Sequence, residues 1–320
     1  MWNDKRSPNA KRPKSRYPTI SYSVIPSFVI FHMSRLPITK TPKVYVGGAF
    51  IRSESARVFP LKDAAGNFYA NIPQCTRKDL RNAVEAAAKA GPGWAKRTGY
   101  NRGQILYRLG EMLEARAGEM ADAIQLGGAS KAAAAREVAA SVDRLIHYAG
   151  WADKFEQVLG SVNPVASPYF NFTVTEPMGI VGVIAPDTAP LLALVSLFAP
   201  AITSGNTVVA LASETQPYPA ILLGEMLATS DLPGGVVNLL TGFRKEMLPT
   251  FATHTHLRAL CGVASADERK ALALGAAESV KRLHLIKVED QPDWFADTAQ
   301  SLYAIRDTIE FKTTWHPIGA

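Results

Sequence analysis

The second half of this 320-residue chain alternates with a regularity that few folds accept. Apolar, β-rich runs occur at 181–185, 207–211, 236–240, 257–261 and 282–286, with helix-like stretches at 190–203, 219–229, 245–252 and 266–278 between them. The strand starts lie 21 to 29 residues apart, the size of a βαβ unit. Five strands alternating with four helices predict an α/β fold, an open parallel Rossmann-like sheet with helices on both faces. Such sheets bind ligands beyond the carboxyl ends of their strands.

An amino-terminal helical segment precedes the sheet. Thr76-x-x-Asp79 reads as a capping box, followed by apolar Leu80, Ala83, Val84 and Ala87 at helical spacing, and Gly91-Pro92-Gly93 is expected to end that helix. A second helix is expected from about Asn101 through Ile124, and a third from about Ser130 to Gly160. All three stripes read as core packing. At 170–175 the period changes to two, predicting a strand with one wet face. Residues 42–52 read as an extended entry with Gly47-Gly48 as a turn. In the tail, 293–307 is expected to be helical and 310–315 a last strand. Its aromatics Trp294, Phe295, Tyr303 and Trp315 read either as a satellite core or as a contact surface.

Composition narrows the function classes. The two cysteines, Cys75 and Cys261, exclude a disulfide framework and point to a reducing, cytoplasmic setting. No apolar run reaches the ~20 residues of a membrane span. Residues 1–32 hold six Lys/Arg against one acid and so carry five of the seven net positive charges; the other 288 residues hold 29 Lys/Arg and 27 Asp/Glu. A near-neutral body does not support nucleic-acid binding. The basic stretch 1–41 is expected to be a disordered extension, with Met33 as an alternative start. Its apolar run at 24–31 is broken by Pro26 and has no small-residue cleavage site, so export is not expected.

Ala185-Pro186-Asp187-Thr188 stands where a glycine-rich dinucleotide loop would follow the first strand, and no Walker A loop occurs. His254-x-His256 lacks further ligands for a metal site. The order of the motifs is more telling. Residues 179–183 with Ala185-Pro186-x-x-x-Pro190, then Ala199-Pro200-Ala201 with Gly205-Asn206-Thr207-Val208-Val209, then Leu232-Pro233-x-Gly235-Val236-Val237-Asn238 with Thr241-Gly242, preceded by Tyr148-Ala149-Gly150-Trp151-Ala152, resemble the aldehyde dehydrogenase superfamily over about residues 42–286. The resemblance covers its cofactor-binding domain and leaves 287–320 as a tail with a possible pairing strand.

The resemblance implies NAD or NADP, a cysteine nucleophile, an asparagine in the oxyanion hole and a glutamate base. At the matching positions this chain departs. The Trp-Asn pair falls on Asp187-Thr188, the ribose-binding lysine on Leu211, and the base on Ile286. The helix-opening Thr-Gly-Ser-x-x-x-Gly falls on residues 261–267, where Asp267 opposes a pyrophosphate. The nucleophile would lie beyond residue 300, where no cysteine occurs, and the chain is expected to end before a second domain forms. No catalytic residue is therefore assigned. The vestigial cofactor set is Pro186, Thr188, Glu214, Gly242 and Gly262, with weak or absent cofactor binding. Losing a charged hydrogen-bond donor costs about 1.5–3 kcal/mol, a ten- to hundredfold drop in affinity; losing a nucleophile costs roughly 10⁶ in turnover in a serine protease.

Three functions follow from this pattern. One is a non-catalytic structural or regulatory subunit that forms a homo- or hetero-oligomer with an intact aldehyde dehydrogenase, pairing through 170–175 or 310–315. The second is a nicotinamide-dependent oxidoreductase acting on aldehydes with residues donated by another chain. The third is a nucleotide sensor, against which Leu211 and Asp267 count.

Overall fold

The computed structural model describes residues 40–319. The expectations for 1–39, including the start at Met33, lie outside the described residues. The chain opens with the hairpin β1 (Val44–Val46) and β2 (Ala49–Ile51), turning at Gly47-Gly48. A two-stranded sheet follows, β3 (Val58–Lys62) with β4 (Phe68–Pro73). Its turn is set by Asp63, whose carboxylate accepts the N–H groups of Ala65 and Asn67 at 3.0 and 2.8 Å.

Helix α1 (Arg77–Ala95) starts where the capping pattern places it. The buried Asp79 carboxylate accepts the Thr76 N–H at 2.7 Å, and also the Ser53 hydroxyl and the Glu54 N–H, fixing the preceding loop. The helix does not stop at Gly91-Pro92-Gly93. Pro92 removes one backbone bond, but continuing the helix buries Trp94, whose Nε1 donates to the Ile202 carbonyl at 2.9 Å. Burial of an indole outweighs that single bond.

The expected second helix is two, α2 (Gly99–Ala115) and α3 (Ala117–Gln125). The break is at Arg116, with ψ +24°, which turns its guanidinium onto Glu119 and Glu225. Ser130 caps α4 (Lys131–Trp151), accepting the Ala133 N–H, and α5 (Phe155–Leu159) follows. Next come β5 (Ser161–Asn163) and β6 (Tyr169–Pro177).

The alternating half folds as its pattern dictates. Strands β7 (Ile180–Ile184), β8 (Thr207–Leu211), β9 (Val237–Leu240), β10 (Leu257–Ala264) and β11 (Arg282–Lys287) are separated by α6 (Leu192–Thr203), α7 (Tyr218–Ala228), α8 (Arg244–Thr253) and α9 (Ala266–Ala277). The sheet runs β11-β10-β7-β8-β9-β1-β2, parallel except for the hairpin. One face packs on α2, α3, α4, α6 and α7, the other on α1, α8 and α9. The chain leaves β7 toward β8 and β9, then returns to β10 on the other side, so the topological switch lies between β7 and β10. There Gly262, at φ +145°, lets β10 approach β7: a Cβ would sit 2.1 Å from the Ile184 carbonyl oxygen.

The expected helix at 293–307 reduces to α10 (Leu302–Arg306). Arg144 instead ties the segment down by donating to the Trp294 and Ala299 carbonyls at 2.9 Å each, and Trp294 packs on Leu192, Ala193 and Val263. Strand β12 (Ile309–Pro317) pairs antiparallel with β6 along its whole length, Thr313 facing Thr173, giving a second sheet β12-β6-β5. Phe170, Phe311 and Trp315 stay exposed there. No helix among the described residues is long and apolar enough to cross a membrane.

Candidate cofactor crevice

The loops after β7, β8, β9 and β10 meet at the switch point. Asp187 accepts the Ser213 hydroxyl at 2.6 Å and the Thr215 N–H at 3.1 Å, stitching the first two loops together. Pro186 is buried behind them. Thr188, at the oxyanion-asparagine position, is exposed and donates its hydroxyl to Gln291 at 2.6 Å.

Arg244, the first residue of α8, dominates the crevice. Its guanidinium donates to the Ala185 carbonyl at 3.1 Å and the Val263 carbonyl at 2.6 Å, spanning the ends of β7 and β10. It also forks onto the Glu268 carboxylate at 2.8 and 2.9 Å. With 16% of the Arg244 side chain exposed, the pair fills the space that a switch-point ligand would take.

Phosphate binding at such a crevice needs free N–H groups at helix starts. Here four such N–H groups, at three helix starts, are taken by carboxylates of this chain. Glu137 accepts the Leu191 and Leu192 N–H groups at 2.8 and 3.2 Å, at the start of α6. Glu214 accepts the Arg244 N–H at 2.6 Å, at the start of α8. The Glu268 carboxylate accepts the Ser265 N–H at 2.9 Å, and the Glu268 backbone N–H donates to the Ser265 hydroxyl oxygen at 3.3 Å, a capping box on α9. Asp267 adds a further negative charge there. A pyrophosphate does not fit these residues as they stand.

Pro186, Glu214 and Gly262 thus lie around Arg244, whereas Thr188 turns to Gln291. Gly242, at φ +144°, packs on Cys75, where a Cβ would come 3.2 Å from the carbonyl oxygen. Leu211 is fully buried, and Ile286 packs beside the Trp294 cluster. Both cysteines, Cys75 and Cys261, are buried. Burial pushes both thiols up to about 12, against the low values that make thiolates reactive.

Arg244, Glu268 and Glu137 escaped the sequence reading. Ser265-x-x-Glu268 is a legible capping pattern. Glu137 carried no local signal, because its partners lie 54 and 55 residues away. Hydrogen bonding from Arg244 holds the Glu268 carboxyl below its ordinary 4.5. The stabilisation from this pair is therefore complete above pH 4.5 and is lost as pH falls through the folded value. Thermal melts across the acid range should show a decline below that pH that is shallower in Glu268→Gln; identical profiles would deny the pair a role.

A doubly wound sheet with helices on both faces and its loops converging at a switch point defines a nucleotide-type α/β domain. The chain belongs to the aldehyde dehydrogenase family, whose model matches residues 50–286. It is 32% identical over 273 residues to retinal dehydrogenase 2 of Gallus gallus, covering 83% of this chain and 52% of that protein. It is 29% identical over 245 residues to hydroxyisobutyraldehyde dehydrogenase of Mycolicibacterium austroafricanum, covering 76% and 48%. The NAD+ complex of an aldehyde dehydrogenase from Bacillus cereus superposes with a TM-score of 0.74 at 26% identity, over 78% of this chain and 51% of that one. The chain spans about half the length of the curated relatives it matches.

Proposed function

We propose that this chain performs no aldehyde chemistry of its own and serves as a structural or regulatory subunit for an intact family member. One observation carries this reading: the three helix starts around the crevice are closed by Glu137, Glu214 and Glu268, with Arg244 filling the space between. NAD or NADP binding is accordingly weak or absent. Both thiols are unpaired and buried, which fits a reducing, cytoplasmic setting.

Association is assigned to the β12-β6-β5 sheet. The outer side of β12 has no strand partner among the described residues, and exposed aromatics accompany it. Such an edge accepts a strand from another chain. The test is light scattering of the purified chain, alone and co-expressed with an intact aldehyde dehydrogenase, together with an aldehyde assay. The expected result is a mixed oligomer and no NADH from this chain alone. A lone monomer in both samples, or turnover well above background by this chain, overturns the proposal.

A second reading, an oxidoreductase completed by another chain, draws on one feature. A groove of about 460 Å³ between α8 and α9, lined by Leu248, Pro249, Ala252, Ala271 and Leu272, opens beside Arg244 and has the apolar character that suits a planar ring. Calorimetric titration with NAD and NADP separates the two readings, since saturable heat at micromolar cofactor belongs only to the second.

A further inference from the structure

The register of β12 on β6 fixes which of its backbone groups point away from the molecule. Thr313 stands opposite Thr173 and Pro317 opposite Tyr169, so Ile318 and Pro168 form the next pair. There the Ile318 N–H donates to the Pro168 carbonyl at 3.0 Å. In an antiparallel ladder, residues that turn both backbone groups to the neighbour alternate with residues that turn both away. Glu310, Lys312, Thr314 and His316 therefore face β6, as Ile318 does, whereas Ile309, Phe311, Thr313, Trp315 and Pro317 turn outward. The Ile309 carbonyl agrees, accepting the Arg282 guanidinium of β11 at 2.6 Å.

Phe311, Thr313 and Trp315 thus offer an N–H and a carbonyl each to another strand. Their side chains share one face of the sheet, and Glu310, Lys312, Thr314 and His316 share the other. All of these except Thr314 are exposed. Reversed upon itself, the strand is complementary. In an antiparallel pair of β12 strands centred on Thr313, Phe311 lies opposite the partner's Trp315 and Glu310 opposite the partner's His316. Aromatic pairs and carboxylate–imidazole pairs both favour sheet pairing. Neighbouring registers are worse. Centred on Lys312, two ammonium groups oppose each other. Centred on Thr314, Lys312 meets His316, and Phe311 meets Pro317, which has no N–H. Centred on Phe311 or Trp315, only 309–313 or 313–317 is paired and the rest of the row stays open.

We propose that the partner this edge fits is a second copy of the chain, joined β12 to β12 about a two-fold axis at Thr313 into one continuous sheet β5-β6-β12-β12-β6-β5. The same patch meets itself, an isologous contact. This inference rests on the assignment of association to this sheet and names its occupant.

The test begins with cysteines placed in the full chain. Directly opposed residues that exchange both backbone bonds lie about 5.5 Å apart at Cα, within the roughly 4.4–6.8 Å of a disulfide. Thr313→Cys should therefore cross-link to its own copy on mild oxidation. Phe311→Cys should not, because its two copies lie roughly 13 Å apart along the strands, but it should cross-link when mixed with Trp315→Cys. Cys75 and Cys261 are buried, so the parent supplies the background. Light scattering gives the second arm. The parent should show the mass of two chains. Thr313→Pro removes an outward N–H and spares the bonds to β6, so it should give a monomer that still melts cooperatively. Glu310→Lys should weaken the dimer roughly tenfold, and adding His316→Glu should restore it. Cross-linking of Phe311→Cys as fast as of Thr313→Cys, or a dimer unaffected by Thr313→Pro, overturns the pairing. A chain that is monomeric alone yet enters a mixed oligomer with an intact aldehyde dehydrogenase overturns this inference and spares the subunit reading; a β12 homodimer that forms no mixed oligomer does the reverse.

Discussion

Replacing Arg144 by alanine should destabilise the chain by roughly 3–5 kcal/mol, at the upper end for a point substitution. The side chain is buried and donates to the Trp294 and Ala299 carbonyls, to Gln300 at 3.0 Å and to the Ser196 hydroxyl. Truncation leaves those acceptors without a donor in a region that water reaches poorly. It also unfastens the segment that brings Trp294 onto Leu192, Ala193 and Val263. At about 2–4 °C per kcal/mol for a domain of this size, the melting temperature should fall by about 10 °C. Arg144→Lys keeps the charge without the planar fork and should recover only part of the loss. Limited proteolysis supplies the second readout, because cleavage should concentrate at residues 288–301 in the alanine variant. A melt within one or two degrees of the parent would mean that the tail is held by its apolar contacts alone.

The second large effect concerns the crevice. Arg244→Gly combined with Glu268→Gln removes the ion pair and one of the three carboxylate caps while leaving the strands in place. Binding of NAD should rise by about ten- to a hundredfold over the parent, corresponding to one charged hydrogen-bonding group no longer opposing the phosphates. Glu268→Gln alone should do less, because the guanidinium still bridges the Ala185 and Val263 carbonyls. Arg244→Gly alone leaves Glu268 unpaired and facing any incoming phosphate, so it should bind no better than the parent. Fluorescence or calorimetric titration of the four proteins gives a complete double-mutant cycle. If the double variant binds no better than the parent, Leu211 and not the plug is the controlling loss.

Much of the sheet was legible because its five strands are short apolar runs at βαβ spacing, where periodicity and tertiary burial agree. Local rules failed where a distant contact overrode them. Pro92 should end α1, but Trp94 reaches the Ile202 carbonyl and carries the helix on. The tail pattern at 293–307 favours a helix, but Arg144 fastens two of its carbonyls and Trp294 packs against α6 and β10. At the crevice, the sequence put Leu211 and Ile286 where the resemblance implies a lysine and a glutamate. It did not reveal what had moved in. Glu137 and Arg244 act on groups far away in sequence or on strand ends, and a single sequence carries no trace of such pairings. Glu214 shows the limit most clearly: the residue sits at the matched position, yet its carboxylate is committed to the Arg244 N–H.

The ribbon formed by β12, β6 and β5 has a bearing on how such a chain must be supplied. Nine residues of β12 expose one row of backbone donors and acceptors, with Phe311 and Trp315 alongside and Glu310, Lys312, His316 and Pro317 to discourage stray pairing. Made in excess over whatever covers that row, the protein would template its own aggregation. Under the proposed subunit role, its usable concentration would be set by stoichiometry rather than by intrinsic solubility, and matched synthesis of the two components would serve the cell best.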